Sequence, residues 1–135
     1  LHDALPICKF PNFSPASQNV TVIRLAEIYL IHAEAKARVD NAVSTTAYNS
    51  LKAVQTRAGV SVPIDTYGNL EKFITAVQEE KEKELMFEGE TWFDFSRTKL
   101  ALKKYENLKD ENFLLYPIPS AQISLGTGLT QNPGY

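Results

Sequence analysis

Residues 22–39 read VIRLAEIYLIHAEAKARV, and this stretch decides the fold class. Val22, Leu25, Ala26, Tyr29, Ala33 and Ala37 step by three and four, the spacing that gathers apolar side chains on one side of an α-helix. Its six alanines and leucines favour the helical state. Asp40-Asn41 breaks the pattern. Ser44 or Thr45 then caps a second helix over about 45–58, with Ala47, Leu51, Val54 and Ala58 on one face. Arg57 falls in its last turn, where a cation suits the helix dipole, and Gly59 fits the position just after the end. Together the two helices make a candidate hairpin of about 37 residues, near the ~34-residue tetratricopeptide period.

Outward from this pair the helical reading continues. Gly59 to Gly68 is a loop holding Pro63. Asn69 caps a third helix predicted from Leu70 to about Glu88, with Leu70, Phe73, Ile74 and Val77 as its apolar stripe. Gly89 interrupts it. The short segment Trp92-Phe93-Asp94-Phe95 follows, then a helix through Arg97 to about Leu108. Phe113 to Tyr116 reads as a short extended run, because Pro117 disfavours helix for the residue before it. Ser120 is placed as the cap of one further turn. Leu125 to Tyr135 is an irregular tail rich in Gly, Thr, Asn and Pro. The fold class expected is all-α, a tetratricopeptide-like helical hairpin plus further helices and a Pro/Gly-rich tail.

Composition narrows the function. The chain has 135 residues, 44% hydrophobic and 22% charged, enough for about one domain with a real core. A formal net charge of −2 gives no broad pull toward nucleic acid or an anionic membrane surface. One cysteine, Cys8, excludes an internal disulfide framework. His2 and His32 have no partner at metal-ligand spacing, so no metal and no cofactor are expected. The most apolar stretch, Ala26 to Ala37, is broken by Glu27, His32, Glu34 and Lys36 and is too short to span a membrane. Leu1 to Ile7, LHDALPI, matches the conceptual translation of a common sequencing-adapter oligonucleotide and is expected to belong to no fold. The rival readings are a native disordered terminus and a lipoprotein box ending at Cys8, which lacks the upstream signal such a box needs. Residues 8–20, with Pro11 and Pro15, read as an irregular lead-in to the 21–135 unit.

Three glutamates, Glu80, Glu84 and Glu88, recur every four residues after Val77. Catalytic carboxylates for glycoside hydrolysis would have to flank a bond from two sides, whereas these point the same way. Three like charges in a row need cations, and Arg24, Arg57 and Arg97 are the expected partners in structural ion pairs. Trp92, Phe93 and Phe95 read either as a sugar-stacking platform or as core, with Trp92 expected between the third helix and the next. Tyr67, in the loop Asp65-Thr66-Tyr67-Gly68, is the candidate for an exposed ligand contact. No catalytic set of residues is found.

Six segments, in order, resemble one family. Arg24 to Ala35, RLAEIYLIHAEA, is similar to the "RLAEvYLiyAEA" helix of the SusD/RagB proteins. Arg57-Ala58-Gly59 resembles that family's "RxRAG", with Gln55 at the first Arg. Glu80-Lys81 with Glu84-Leu85-Met86-Phe87-Glu88-Gly89 resembles "ERxxELxFEG", with Lys81 for Arg. Thr91 to Arg97 resembles "RWFDLxR", with Thr91 for Arg. Pro117-Ile118-Pro119 and Gln131 to Tyr135 resemble the "PIP" and closing "QNPGY". The resemblance covers about residues 20–135 and implies the C-terminal portion of a longer protein. It implies a bacterial outer-membrane, surface-exposed lipoprotein, anchored by an N-terminal lipid that lies outside this chain. Such a protein binds oligosaccharide or another nutrient and delivers it to a TonB-dependent (SusC-like) transporter. It implies no enzyme activity. A tetratricopeptide-like scaffold for protein–protein interaction is the alternative.

Overall fold

The structure is a computed structural model that describes residues 22–126 and 128–135. The readings of Leu1 to Ile7 and of residues 8–20 lie outside the described residues. The fold is all-α: six α-helices and two 3-10 turns, with no strand among the described residues.

Helix α1 (Leu25–Asp40) starts at Arg24 in extended backbone and stops at Asn41, which turns left-handed at φ 50°. Helix α2 (Thr45–Arg57) begins under Ser44, whose hydroxyl accepts the Ala47 N–H, and α3 (Leu70–Glu84) begins under Asn69, whose side chain accepts the Lys72 N–H at 2.9 Å. Both caps satisfy donors that the first helical turn leaves without an internal partner. Leu30, Ala33 and Ala37 of α1 meet Ala47, Leu51 and Val54 of α2 and Phe73 and Val77 of α3 in one core. The alanines are fully buried, so the helices approach closely without leaving a void.

The loop after α2 is pinned rather than loose. It contains a 3-10 turn, Ile64–Tyr67, and the Tyr48 hydroxyl donates to the Val62 carbonyl at 2.8 Å. The rings of Tyr48, Tyr67 and Phe73 follow one another edge to face, at 6.3 and 5.2 Å.

Four local expectations are corrected. Helix α3 ends at Glu84, not near Glu88. Leu85 turns into the core at 2% exposed, and Phe87 and Gly89 take positive φ, which no helix continues through. The helix expected from Arg97 to Leu108 is two pieces, α4 (Thr91–Thr98) and α5 (Leu100–Lys104), separated by Lys99 at φ 58°. Phe95 and Ala101 are both buried, and in an unbroken helix a separation of six residues would set them about 120° apart. The break turns both inward. The segment Phe113–Tyr116 is not wholly extended: Glu111–Leu114 form a 3-10 turn capped by Asp110, and only then does the chain extend. Ser120 is the first residue of α6 (Ser120–Ser124), with no side-chain cap.

After α6 the chain folds back on residues 115–118. The Gln131 amide accepts from the Ile118 N–H at 2.8 Å and donates to the Ile118 carbonyl at 2.9 Å. Asn132 donates to the Tyr116 carbonyl and the Tyr135 hydroxyl to that of Leu115, at 2.7 and 2.9 Å. Side chains here do the pairing that a strand partner would do.

Candidate functional site

Two clusters of charge tie the helices together, and a cleft opens beside the larger one. The first gathers at the end of α3. Arg24, just before α1, spreads its guanidinium over Glu84 and Glu88, with 2.7 and 2.9 Å contacts to the Glu88 carboxylate and further bonds to the Glu84 side chain and carbonyl. Arg57, in the last turn of α2, reaches the other Glu84 oxygen. Hydrogen bonding to Glu88, working against partial burial and joined by the Glu84 contacts, raises the Arg24 pKa above its ordinary value. Glu88 joins this cluster from the turn after α3.

The second cluster centres on Glu34, which α1 places on its buried face at 4% exposed. Arg97 of α4 grips it with two parallel bonds, both 2.9 Å, the planar fork geometry that suits a carboxylate. Arg38 donates at 3.0 Å and the Gln78 amide at 2.6 Å. Lys81, itself buried, lies 3.6 Å from Glu34 and 3.2 Å from Asp94, and Arg97 also reaches Asp94 at 2.7 Å. Burial alone would push the Glu34 carboxyl up. Hydrogen bonds from Arg97 and Arg38, with the charges of Arg97 and Lys81, outweigh it and hold the carboxyl at about 2. The same pairing raises the Arg97 guanidinium above its ordinary range. A cleft of about 330 Å³ opens over this cluster, with Glu27, Ile31, Leu85 and Glu90 among its walls.

The residues singled out from the sequence therefore divide. Arg24, Arg57, Glu84 and Glu88 come together. Arg97 does not join them: its partners are Glu34 and Asp94. Glu80 has no ion pair among the described residues and faces a different cavity. Tyr67 is 5% exposed, its hydroxyl on the Gln55 side-chain oxygen at 3.1 Å, so the expected exposed contact is a core ring. Trp92, expected to be mostly buried, is half-buried and lies against Tyr116, 6.2 Å between rings. Phe95 is buried, while Phe93 is exposed, and Phe87 is 72% exposed on left-handed backbone. His32 bonds Ser50 across the α1–α2 interface at 2.8 Å.

Sequence reasoning missed Glu34, Asp94 and Lys81. A signal existed for Glu34: it lies four residues after Leu30 and three before Ala37, on the apolar face, where an acid needs a cation. Nothing local marked which arginine would supply it.

The family model described as the SusD family matches residues 9–112. No curated protein and no solved structure matches the chain. The matched range takes in both charge clusters and helices α1 to α5.

Proposed function

The chain belongs to the SusD family, and from that membership we propose that it forms part of a nutrient-binding protein of the bacterial outer surface. In this reading the whole protein captures glycan or a similar nutrient and delivers it to a TonB-dependent outer-membrane transporter. It is held at the membrane by a lipid anchor; among the described residues no helix is long and apolar enough to cross a bilayer. The observation that carries the reading is the family match over residues 9–112.

The carboxylate chemistry supports capture without turnover. Glycoside hydrolysis needs an acid that keeps its proton near neutral pH, opposite a second carboxylate. Glu34, held at about 2, is ionised throughout that range. Glu84, Glu88 and Asp94 each face at least one cation. These acids hold helices. The exposed rings of Phe87, Phe93 and Tyr116 are surfaces of the kind on which sugar rings stack.

Two measurements test the reading. Calorimetry on the full-length protein is expected to find saturable binding to at least one member of a broad oligosaccharide panel. Long incubation of this chain with the same panel is expected to release no new reducing ends. Full-length protein that binds nothing would overturn the nutrient reading, and hydrolysis abolished by Glu84→Gln would overturn the non-enzymatic one.

A further inference from the structure

The apolar core shared by α1, α2 and α3 ends at Val77: its members, fully or partly buried, all lie between Ala26 and Val77. Among the described residues after α3, the buried apolar side chains are Leu85, Phe95 and Ala101. From Thr91 onward the chain is tied to itself. Trp92 lies against Tyr116 and Phe95 against Tyr105, both 6.2 Å between rings, and Phe113 against Tyr135 at 6.0 Å. Lys99 pairs with Glu111 at 2.6 Å. Gln131, Asn132 and Tyr135 fasten the end of the chain to the carbonyls of Ile118, Tyr116 and Leu115. These contacts knit the described residues of 91–135 into one arm.

Charge holds the arm on the three-helix core. Arg97 forks onto Glu34 of α1, Lys81 of α3 lies 3.2 Å from Asp94, and Lys104 reaches Glu82. Phe95 adds its ring, which lines one small cavity with Gln78 and Leu85. Ion pairs part at less net cost than an apolar contact of the same size, because water takes over the charges as they separate. Arg24 holds both Glu84 and Glu88, so the turn after α3 stays with the core as far as Glu88. Gly89 follows at φ 90°, and a side-chain carbon there would meet nothing within 4 Å, so the backbone has room to turn. We infer that residues 91–135 open as a body from α1, α2 and α3, hinged at Gly89 and latched by the Arg97–Glu34 and Lys81–Asp94 contacts. Asp94 and Arg97 supply one wall of the cleft of about 330 Å³, so each opening moves that wall away from Glu27, Ile31 and Arg38 of α1.

The arm's opening does not depend on nutrient binding, and native-state hydrogen exchange on the whole chain tests it. Exchange is followed by NMR across urea concentrations below the unfolding transition, where a unit that opens as a body exposes its amides together. The amides of Phe95 to Thr98 in α4 and of Tyr105, which bonds the Ala101 carbonyl, are expected to share one urea dependence. After correction for intrinsic rates they are expected to exchange about 100-fold faster than those of Ala33, Leu51 and Val77. Glu34→Gln, which takes the counter-charge from the Arg97 fork, is expected to speed the arm amides by one common factor of about tenfold, Tyr105 included. Fraying of a short helix would instead speed α4 and leave Tyr105 unchanged, and that result overturns the inference. In the parent chain, arm and core amides that are equally protected, or arm amides that each follow a urea dependence of their own, overturn it without reference to any variant.

Discussion

Glu34 shows what one acid on an apolar helix face demands of its surroundings. Arg97, Arg38 and Gln78 hydrogen-bond its two oxygens, and Lys81 adds charge from 3.6 Å. The carboxyl ordinarily titrates at 4.5 and is lowered to about 2 in the fold. On acidification the unfolded chain therefore takes up the proton first. The stability this contact contributes is complete above about pH 4.5 and is lost as pH falls toward 2. Glu34→Gln leaves the buried Lys81 and the Arg97 fork facing a neutral amide, and its expected cost is about 3 kcal/mol in urea unfolding. The half-exposed guanidinium groups of Arg97 and Arg38 keep it at the low end of the range for broken buried pairs. The variant's stability is also expected to vary less between pH 4.5 and 2 than that of the parent chain. An equal acid dependence in both would remove Glu34 from the account.

At the scale of elements, the starts of α2 and α3 were legible and the stops of α3 and α4 were not. Ser44 and Asn69 cap α2 and α3 through their own side chains, a signal confined to three or four residues. Lys99 stops α4 without any such signal, at φ 58° in a backbone region that disfavours a side chain. Lys99→Gly removes that penalty at the cost of one exposed pair with Glu111. A gain of about 0.5 kcal/mol in thermal or urea unfolding is expected, since exposed pairs contribute little. A loss of 1 kcal/mol or more would mean that the Lys99 side chain matters beyond its backbone angle.

The whole molecule leaves much of α1 uncovered. One face enters the core, yet Leu25, Ile28 and Ile31 on the rest of the helix are exposed, and so are Val22 and Ile23 before it. Contiguous apolar surface of this kind promotes association. Light scattering on the purified chain is expected to show mass rising with concentration, and the double substitution Ile28→Lys, Ile31→Lys is expected to suppress it. A parent chain that stays monomeric across the same range would show that the exposed residues do not act together as one patch.

By itself the sequence determined the helical character of α1, α2 and α3, the caps of α2 and α3, and the family resemblance, four of whose six segments lie within the matched residues 9–112. Each of these is local: a spacing of three and four, a cap three residues from its donor, or a short motif in order. The tertiary structure decided which charge meets which. Arg97 belongs to Glu34 because α4 packs on α3 and its guanidinium reaches across to α1, and Glu84 meets Arg24 and Arg57 while Glu80, one turn earlier, has no ion pair among the described residues. It also turned Tyr67 inward, since a 3-10 turn places the ring between Tyr48 and Phe73. Helical periodicity tells which side chains share a face. Which partner that face receives depends on how the helices meet, and no local spacing along the chain encodes it.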